Sequence, residues 1–179
     1  MSEFIFHTQE NTSGQTKALL EGIQQGYGFV PNLFAYMAEA PTTIEAYLAM
    51  NELIAKGSFS PAQQQVALLA VSKENGCDFC ITAHRAIGKM NKANQQTLDA
   101  IHSEAVIDDA SDRALVTYAR KVVKQRGYVS DEDIKEFIAA GFTRQAVLEI
   151  VLIVSIKTLS NYINHITEPE ANNELLEML

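Results

Sequence analysis

The chain has 179 residues, 47% of them hydrophobic and 20% charged, with two cysteines and a formal net charge of −8. This is ordinary globular composition for about one domain, and it excludes a disordered, collagen-like or low-complexity chain. The 14 basic residues against 22 acidic ones leave no basic face for a nucleic-acid or anionic-membrane partner.

The opening residues, Met1 to Thr8, have neither a basic region nor a long apolar stretch, so no secretory signal is expected. Residues 1–12 read as a tail, loose or docked. Pro41 opens a helical segment with Ile44, Tyr47, Leu48 and Ile54 at its apolar positions, and Gly57 closes it. Ser60-Pro61-Ala62-Gln63 has an N-cap, a proline at the first helical position and a capping glutamine at the third. Val66, Leu69 and Ala70 follow on one helical face, and Asn75-Gly76 reads as a helix-to-helix joint.

Ser111 opens a further helix with Leu115, Ala119, Val122 and Val123 on one stripe and Gly127 at its end. Ser130-Asp131-Glu132-Asp133 starts a short helix, with Val129 and Ile134 placed as a hydrophobic staple and Gly141 as its stop. Thr143 caps a long helix that runs toward His165 and breaks beyond Thr167 at Pro169. Residues 170–179 form a second tail. The run Ile150 to Ile156 is far short of the roughly 20 apolar residues of a membrane span. With no strand alternation longer than four residues, the expectation is an all-α, single-domain helical bundle of seven to nine helices over residues 1–179. Apolar stripes on nearly every helix exceed what one core needs, and they predict a homo-oligomer with the last long helix against a partner.

The chemistry concentrates in Asn75-Gly76-Cys77-Asp78-Phe79-Cys80-Ile81-Thr82-Ala83-His84. A helix that starts near Cys77 puts both thiols in its first turn, where unpaired N–H groups and the positive dipole end favour a thiolate. Cys77 and Cys80 are close enough there to form a disulfide. His84, one turn beyond Cys80, can take the proton of a thiol or hold its thiolate as an imidazolium. Two other readings apply to the same residues. They can be plain core residues, since free cysteine is among the most buried types. They can also be three ligands of a zinc site, but a tetrahedral structural site needs a fourth, and only an unforced His165 is at hand.

The two cysteines are too few for a secreted disulfide scaffold, and a cytosolic location is expected. Asp108-Asp109 and Asp131-Glu132-Asp133 lie where acids serve helix starts. Tyr27, Phe34, Tyr36 and Tyr47 read as core or pocket walls. No Gly-rich phosphate loop occurs, so no nucleotide cofactor is implied.

The capped helix from Ser60, the Asn75-Gly76-Cys77 joint and the motif Cys77-x-x-Cys80-x-x-x-His84 resemble the carboxymuconolactone decarboxylase superfamily, in its AhpD-like alkylhydroperoxidase branch. Gly28-Phe29-Val30-Pro31-Asn32-Leu33-Phe34 followed by Pro41 is similar to the N-terminal part of its single-domain peroxidase-related members. The resemblance spans about residues 26–165. It implies an all-helical trimer or hexamer, with a dimer as the lesser option, that reduces hydroperoxides through its dithiol. The disulfide so formed is recharged by an external dithiol, lipoyl or thioredoxin-like.

Cys80 is the favoured attacking thiol, Cys77 the resolving one and His84 the base, with no cofactor and no metal. Two positions depart from the branch. Gln65 stands where its characterised peroxidase has a glutamate, and Phe79 where it has a histidine. Both departures imply weaker peroxidase turnover rather than a less reactive dithiol. Glu74 is nearer the cysteines but across the turn. The competing functions are a thiol–disulfide oxidoreductase or redox sensor, and a helical scaffold whose cysteines only pack.

Overall fold

The computed structural model describes residues 3–179. It is all-helical, with ten helices among the described residues: α1 (Gly14–Tyr27), α2 (Asn32–Met37), α3 (Pro41–Ala55), α4 (Pro61–Glu74), α5 (Asp78–Met90), α6 (Gln95–Ser103), α7 (Ala110–Lys124), α8 (Asp131–Ala139), α9 (Arg144–Thr167) and α10 (Asn173–Glu177). Eight of them run nine residues or more, within the expected seven to nine; α2 and α10 are single short turns of six and five residues.

Local chemistry sets the boundaries. At α4 the Ser60 hydroxyl accepts from the Gln63 backbone N–H while the Gln63 side chain accepts from the Ser60 N–H, which satisfies two orphan donors reciprocally. The Thr143 cap of α9 and the Ser130 cap of α8 form as expected. The start of α7 lies one residue before the expected Ser111. Its cap is Asp109, whose carboxylate accepts from the Asp112 N–H, so one of the paired acids serves a helix start.

The helices enclose two joined cores. The larger gathers α4, α6, α7, α8 and α9 around Leu69, Leu98, Leu115, Phe137 and Ile150. Val66 through Ser72 are all buried, so α4 is enclosed on every side rather than on the one face expected. The smaller core gathers Leu20 and Ile23 of α1, Leu33, Phe34 and Met37 of α2, Ile44 of α3, and Cys77, Phe79 and Cys80.

Neither tail is loose. In the first, the described part is pinned by the His7 N–H donating to the Ala35 carbonyl at 3.1 Å and by Phe6 set edge-on against Tyr36; Met1 and Ser2 lie outside the described residues. In the second, the Asn172 side chain accepts from the Asn32 N–H at 2.8 Å, and Leu175 is buried in the smaller core. The reason is the apolar surface of Leu175 and Met178, which finds cover against α5.

By length and composition alone α9 could cross a membrane, since an 18-residue stretch of it has a mean hydropathy of 1.6. The run Ile150 to Ile156 is thus the middle of a longer apolar helix. That helix is central to the bundle and packs against α2, α3, α4, α5, α7 and α8.

Candidate active site

The site is built where α4 ends and α5 begins. Gly76 has φ +69°, in the left-handed region. The Gly76 N–H donates to the Lys73 carbonyl at 3.1 Å, and the Cys77 N–H to the Ser72 carbonyl at 3.0 Å. This double closure ends α4 through a glycine that carries no Cβ penalty and turns the chain straight into α5. Cys77 becomes the N-cap of α5, and Cys80 the third residue of its first turn.

The thiols are free and buried, each 2% exposed. Above them lies the inner face of α9, which carries Lys157, Ser160, Asn161 and Asn164, all buried. The Asn164 Nδ2 donates to Cys80 Sγ at 3.2 Å and to Cys77 Sγ at 3.4 Å. One amide therefore holds both sulfurs. The Cys80 thiol is pulled down to about 5, first by the hydrogen bond from the Cys77 thiol, then by the charge and hydrogen bond of Lys157 and by Ser160, against the opposing effect of burial. The Cys77 thiol is pushed up, chiefly by donating its proton to Cys80 and by burial. The arrangement thus favours ionisation at Cys80 and retention of the proton at Cys77.

His84 lies in the site, 5% exposed, but it does not pair with a sulfur. Its Nδ1–H donates to Gln65 Oε1 at 2.9 Å, and its Nε2 accepts from Lys157 Nζ at 2.9 Å. Burial and the Lys157 charge lower its pKa. The expected imidazolium partner of the thiolate is therefore replaced by an ammonium, with a neutral imidazole behind it. Gln65 is neutral, as expected, but it has a task, since its carbonyl oxygen fixes the tautomer that turns the Nε2 lone pair toward Lys157. Glu74 is paired with Lys124 at 3.4 Å, away from the thiols. His165 is exposed and stacks on Tyr162, so it supplies no fourth ligand to the cysteines. Among the described residues, no three His, Cys, Asp or Glu side chains converge as metal ligands.

Cys80 and His84 open onto a cavity of about 330 Å³, walled by Tyr27, Phe34, Tyr47, Phe79 and Leu68 and closed at one end by Leu175 and Met178 of the C-terminal segment. Phe34 stands edge-on to Tyr47 at 5.3 Å. The Tyr47 phenol is pushed up, mainly by burial and further by Tyr27 and Cys80, so it faces the thiolate in its neutral form. Tyr27, Phe34 and Tyr47 are thus pocket walls, as expected, whereas Tyr36 is not among the lining residues.

Residues 41–125 match the model of the carboxymuconolactone decarboxylase family. That segment runs from the start of α3 to the end of α7 and contains both cysteines and His84. Over that segment the chain is similar to the carboxymuconolactone decarboxylase family. No curated protein matches its sequence significantly. Its fold is that of the AhpD-like branch. It superposes on an alkylhydroperoxidase AhpD core, an uncharacterised peroxidase-related protein from Ralstonia eutropha JMP134, with TM-score 0.85 and 24% identity over 97% of this chain and 94% of that one. A peroxidase-related protein from Silicibacter sp. TM1040 gives TM-score 0.81 and 20% identity over 97% and 92%. The debrominase Bmp8, as a cysteine-to-alanine variant in complex with 2,3,4-tribromopyrrole, gives TM-score 0.79 and 19% identity over 99% and 96%.

Of the residues that this fold brings together, sequence reasoning names Cys77, Cys80 and His84 and does not single out Lys157, Ser160 or Asn164 for the site. The signal for them was present. Polar residues at 157, 160, 161 and 164 follow helical spacing inside an otherwise apolar helix, a pattern that marks an inward-facing polar strip.

Proposed function

We propose that the protein is a thiol-dependent peroxidase that reduces organic hydroperoxides through a cycle of Cys77 and Cys80. The observation that carries this reading is the Cys80 thiolate, bonded by Asn164 beside a protonated Cys77 and facing an apolar cavity. Cys80 Sγ attacks one peroxide oxygen, the O–O bond breaks, and the alkoxide leaves and takes a proton from solvent. Cys80 is then a sulfenic acid. Cys77 Sγ attacks that sulfur, hydroxide leaves with the Cys77 proton as water, and the disulfide remains. An external dithiol, lipoyl or thioredoxin-like, returns the two electrons.

The aromatic and aliphatic walls favour a substrate with an apolar tail. Burial of about 100 Å² of such a tail contributes about 2.5 kcal/mol, which corresponds to roughly 70-fold in kcat/KM over hydrogen peroxide. The assay is dithiothreitol-dependent consumption of cumene hydroperoxide and of hydrogen peroxide, with mass spectrometry of the oxidised chain. The expected result is turnover with a preference for the organic substrate, and a reversible Cys77–Cys80 disulfide within one chain. A disulfide without turnover would mean an oxidoreductase or sensor, and two free thiols after oxidant would leave a scaffold.

A second reading is reductive dehalogenation of a small haloaromatic. It is favoured by the five aromatic residues that line the cavity, Tyr27, Phe29, Phe34, Tyr47 and Phe79, and by the likeness to a fold that holds a tribromopyrrole. Dithiol-dependent bromide release from 2,3,4-tribromopyrrole is its test.

A homo-oligomer in a reducing, cytosolic compartment completes the proposal. Leu148, Val151, Tyr162 and Ile166 stay exposed along the outer side of α9, an apolar face that a second copy would cover. Light scattering is expected to give a multiple of 19.7 kDa; a mass equal to the monomer at micromolar concentration would refute assembly.

A further inference from the structure

The cavity beside Cys80 is not uniformly apolar. Besides Cys80, His84 and Lys157, its lining includes Tyr27, Tyr47, Asn51 and Gln65. Tyr47 and Asn51 are four residues apart on α3 and so share one face of that helix, while Gln65 stands on the adjoining α4. Tyr47 lies within reach of the Cys80 charge. Gln65 is tied to the surroundings of the thiolate through His84 and Lys157. Tyr27 is 38% exposed, so its phenol is solvated.

Among the described residues, the Tyr47 hydroxyl, the Asn51 amide and the Gln65 Nε2 have no hydrogen-bond partner. All three residues are only partly exposed, yet these polar atoms are not sealed in. Each residue borders the cavity, where a bound molecule can supply the missing partner. Gln65 has its orientation fixed. Its Oε1 accepts from the His84 Nδ1–H at 2.9 Å, so the N–H bonds of Nε2 are what it has left to offer. The free groups are mostly donors: the amide N–H bonds of Gln65 and Asn51 and the O–H of Tyr47 outnumber the Asn51 carbonyl and the phenol lone pairs. The Lys157 charge is already matched by the Cys80 thiolate. A carboxylate would therefore enter without a counter-ion, on a chain of net charge −8. The donors fit a neutral oxygen acceptor.

We propose that Tyr47, Asn51 and Gln65 form a polar subsite that receives a carbonyl oxygen of the substrate, so that the preferred peroxide is a neutral organic hydroperoxide with a carbonyl group beyond its apolar part. The proposal rests on the peroxidase reading above and narrows its substrate class. The apolar walls take the hydrocarbon, Cys80 takes a peroxide oxygen, and the donors take the second oxygen function. Holding the molecule at two points orients the O–O bond against the thiolate. The subsite also accounts for an amide at position 65. An ionised carboxylate there is acceptor-only and would offer the carbonyl oxygen no donor, whereas the amide donates to it while still holding His84.

The experiment compares two hydroperoxides of nearly equal size, para-acetylcumyl and para-isopropylcumyl hydroperoxide, in dithiothreitol-dependent turnover, with rates corrected for their reaction with free dithiothreitol. Transfer into a purely apolar cavity favours the isopropyl compound, so the sign of the preference is decisive. The expected result is a kcat/KM at least about five-fold higher for the acetyl compound. In Tyr47→Phe/Asn51→Leu the ratio should fall to one or below, whatever change is common to both substrates. Titration of the reduced protein with the two product alcohols, followed by NMR, reads the subsite without chemistry. The acetyl alcohol should bind more tightly, and the double variant should lose that order. Turnover with the isopropyl compound preferred, or a ratio unchanged in the double variant, would overturn the subsite and leave the peroxidase standing. No turnover of either peroxide would overturn the peroxidase reading. The alcohols would then decide the subsite alone: tighter binding of the acetyl alcohol supports it, and tighter binding of the isopropyl alcohol overturns it.

Discussion

Cys80→Ser is expected to lower peroxide consumption by at least about a thousand-fold, whereas Cys77→Ser should stop it after one event per chain. Serine at position 80 replaces a thiolate by a neutral hydroxyl that the surrounding Lys157 and Asn164 cannot ionise near neutral pH, so the nucleophile is lost. At position 77 the logic differs. The contribution of Cys77 to its neighbour is a donated hydrogen bond, and a serine hydroxyl can donate in its place. The Cys80 thiolate should survive, react once, and persist as a sulfenic acid for want of a resolving thiol.

Rapid-mix peroxide consumption, with dimedone trapping and intact-mass measurement, reads both effects. One equivalent consumed and a single dimedone adduct on Cys80 are expected for Cys77→Ser. A burst in Cys80→Ser and none in Cys77→Ser would reverse the two roles.

Lys157→Met is expected to move the alkylation midpoint of Cys80 upward from about 5 by two units or more. Two units correspond to about 2.7 kcal/mol of differential interaction between thiol and thiolate. Methionine has nearly the length of lysine and fills the same buried place without its charge. The sign follows from the thiolate being the reactive form. In the native protein the iodoacetamide rate stays near its plateau from pH 9 down to about 6 and falls only as the pH drops through the depressed midpoint. Without the Lys157 cation the fall begins at higher pH, so the rate at pH 6 drops by roughly ten-fold or more, and the two proteins converge above pH 9.

Lys157→Arg, which keeps the charge, should recover most of the loss. His84→Ala should shift the midpoint less than Lys157→Met, because the imidazole reaches the sulfur only through the ammonium. A larger effect of His84→Ala would show that the imidazole acts on the thiol itself. The fold should tolerate Lys157→Met. Removing one partner of a buried charged pair is destabilising and orphans the His84 Nε2, while proton uptake by Cys80 removes the uncompensated charge, so melting should fall by several degrees with the fold retained. An unchanged midpoint in Lys157→Met would exclude the cation as the cause of the thiolate.

Sequence alone determined what is local. The joint at Asn75-Gly76, the capping box from Ser60 to Gln63, the caps Ser130 and Thr143 and the spacing of Cys77, Cys80 and His84 all depend on residues within a turn or two of each other. Backbone geometry over so short a span is set by sterics and local hydrogen bonds, so residue type and spacing suffice. The charge partner of the thiolate is not local. Lys157 lies 73 residues from His84, and Asn164 lies 84 from Cys80; they reach the dithiol only because α9 packs across α4 and α5. The polar strip of α9 is visible in the sequence, but its direction is decided by which side of that helix the other helices bury. The same packing sets Cys80 against the apolar cavity, docks α10 over the site, and makes an ammonium rather than an imidazolium the partner of the thiolate.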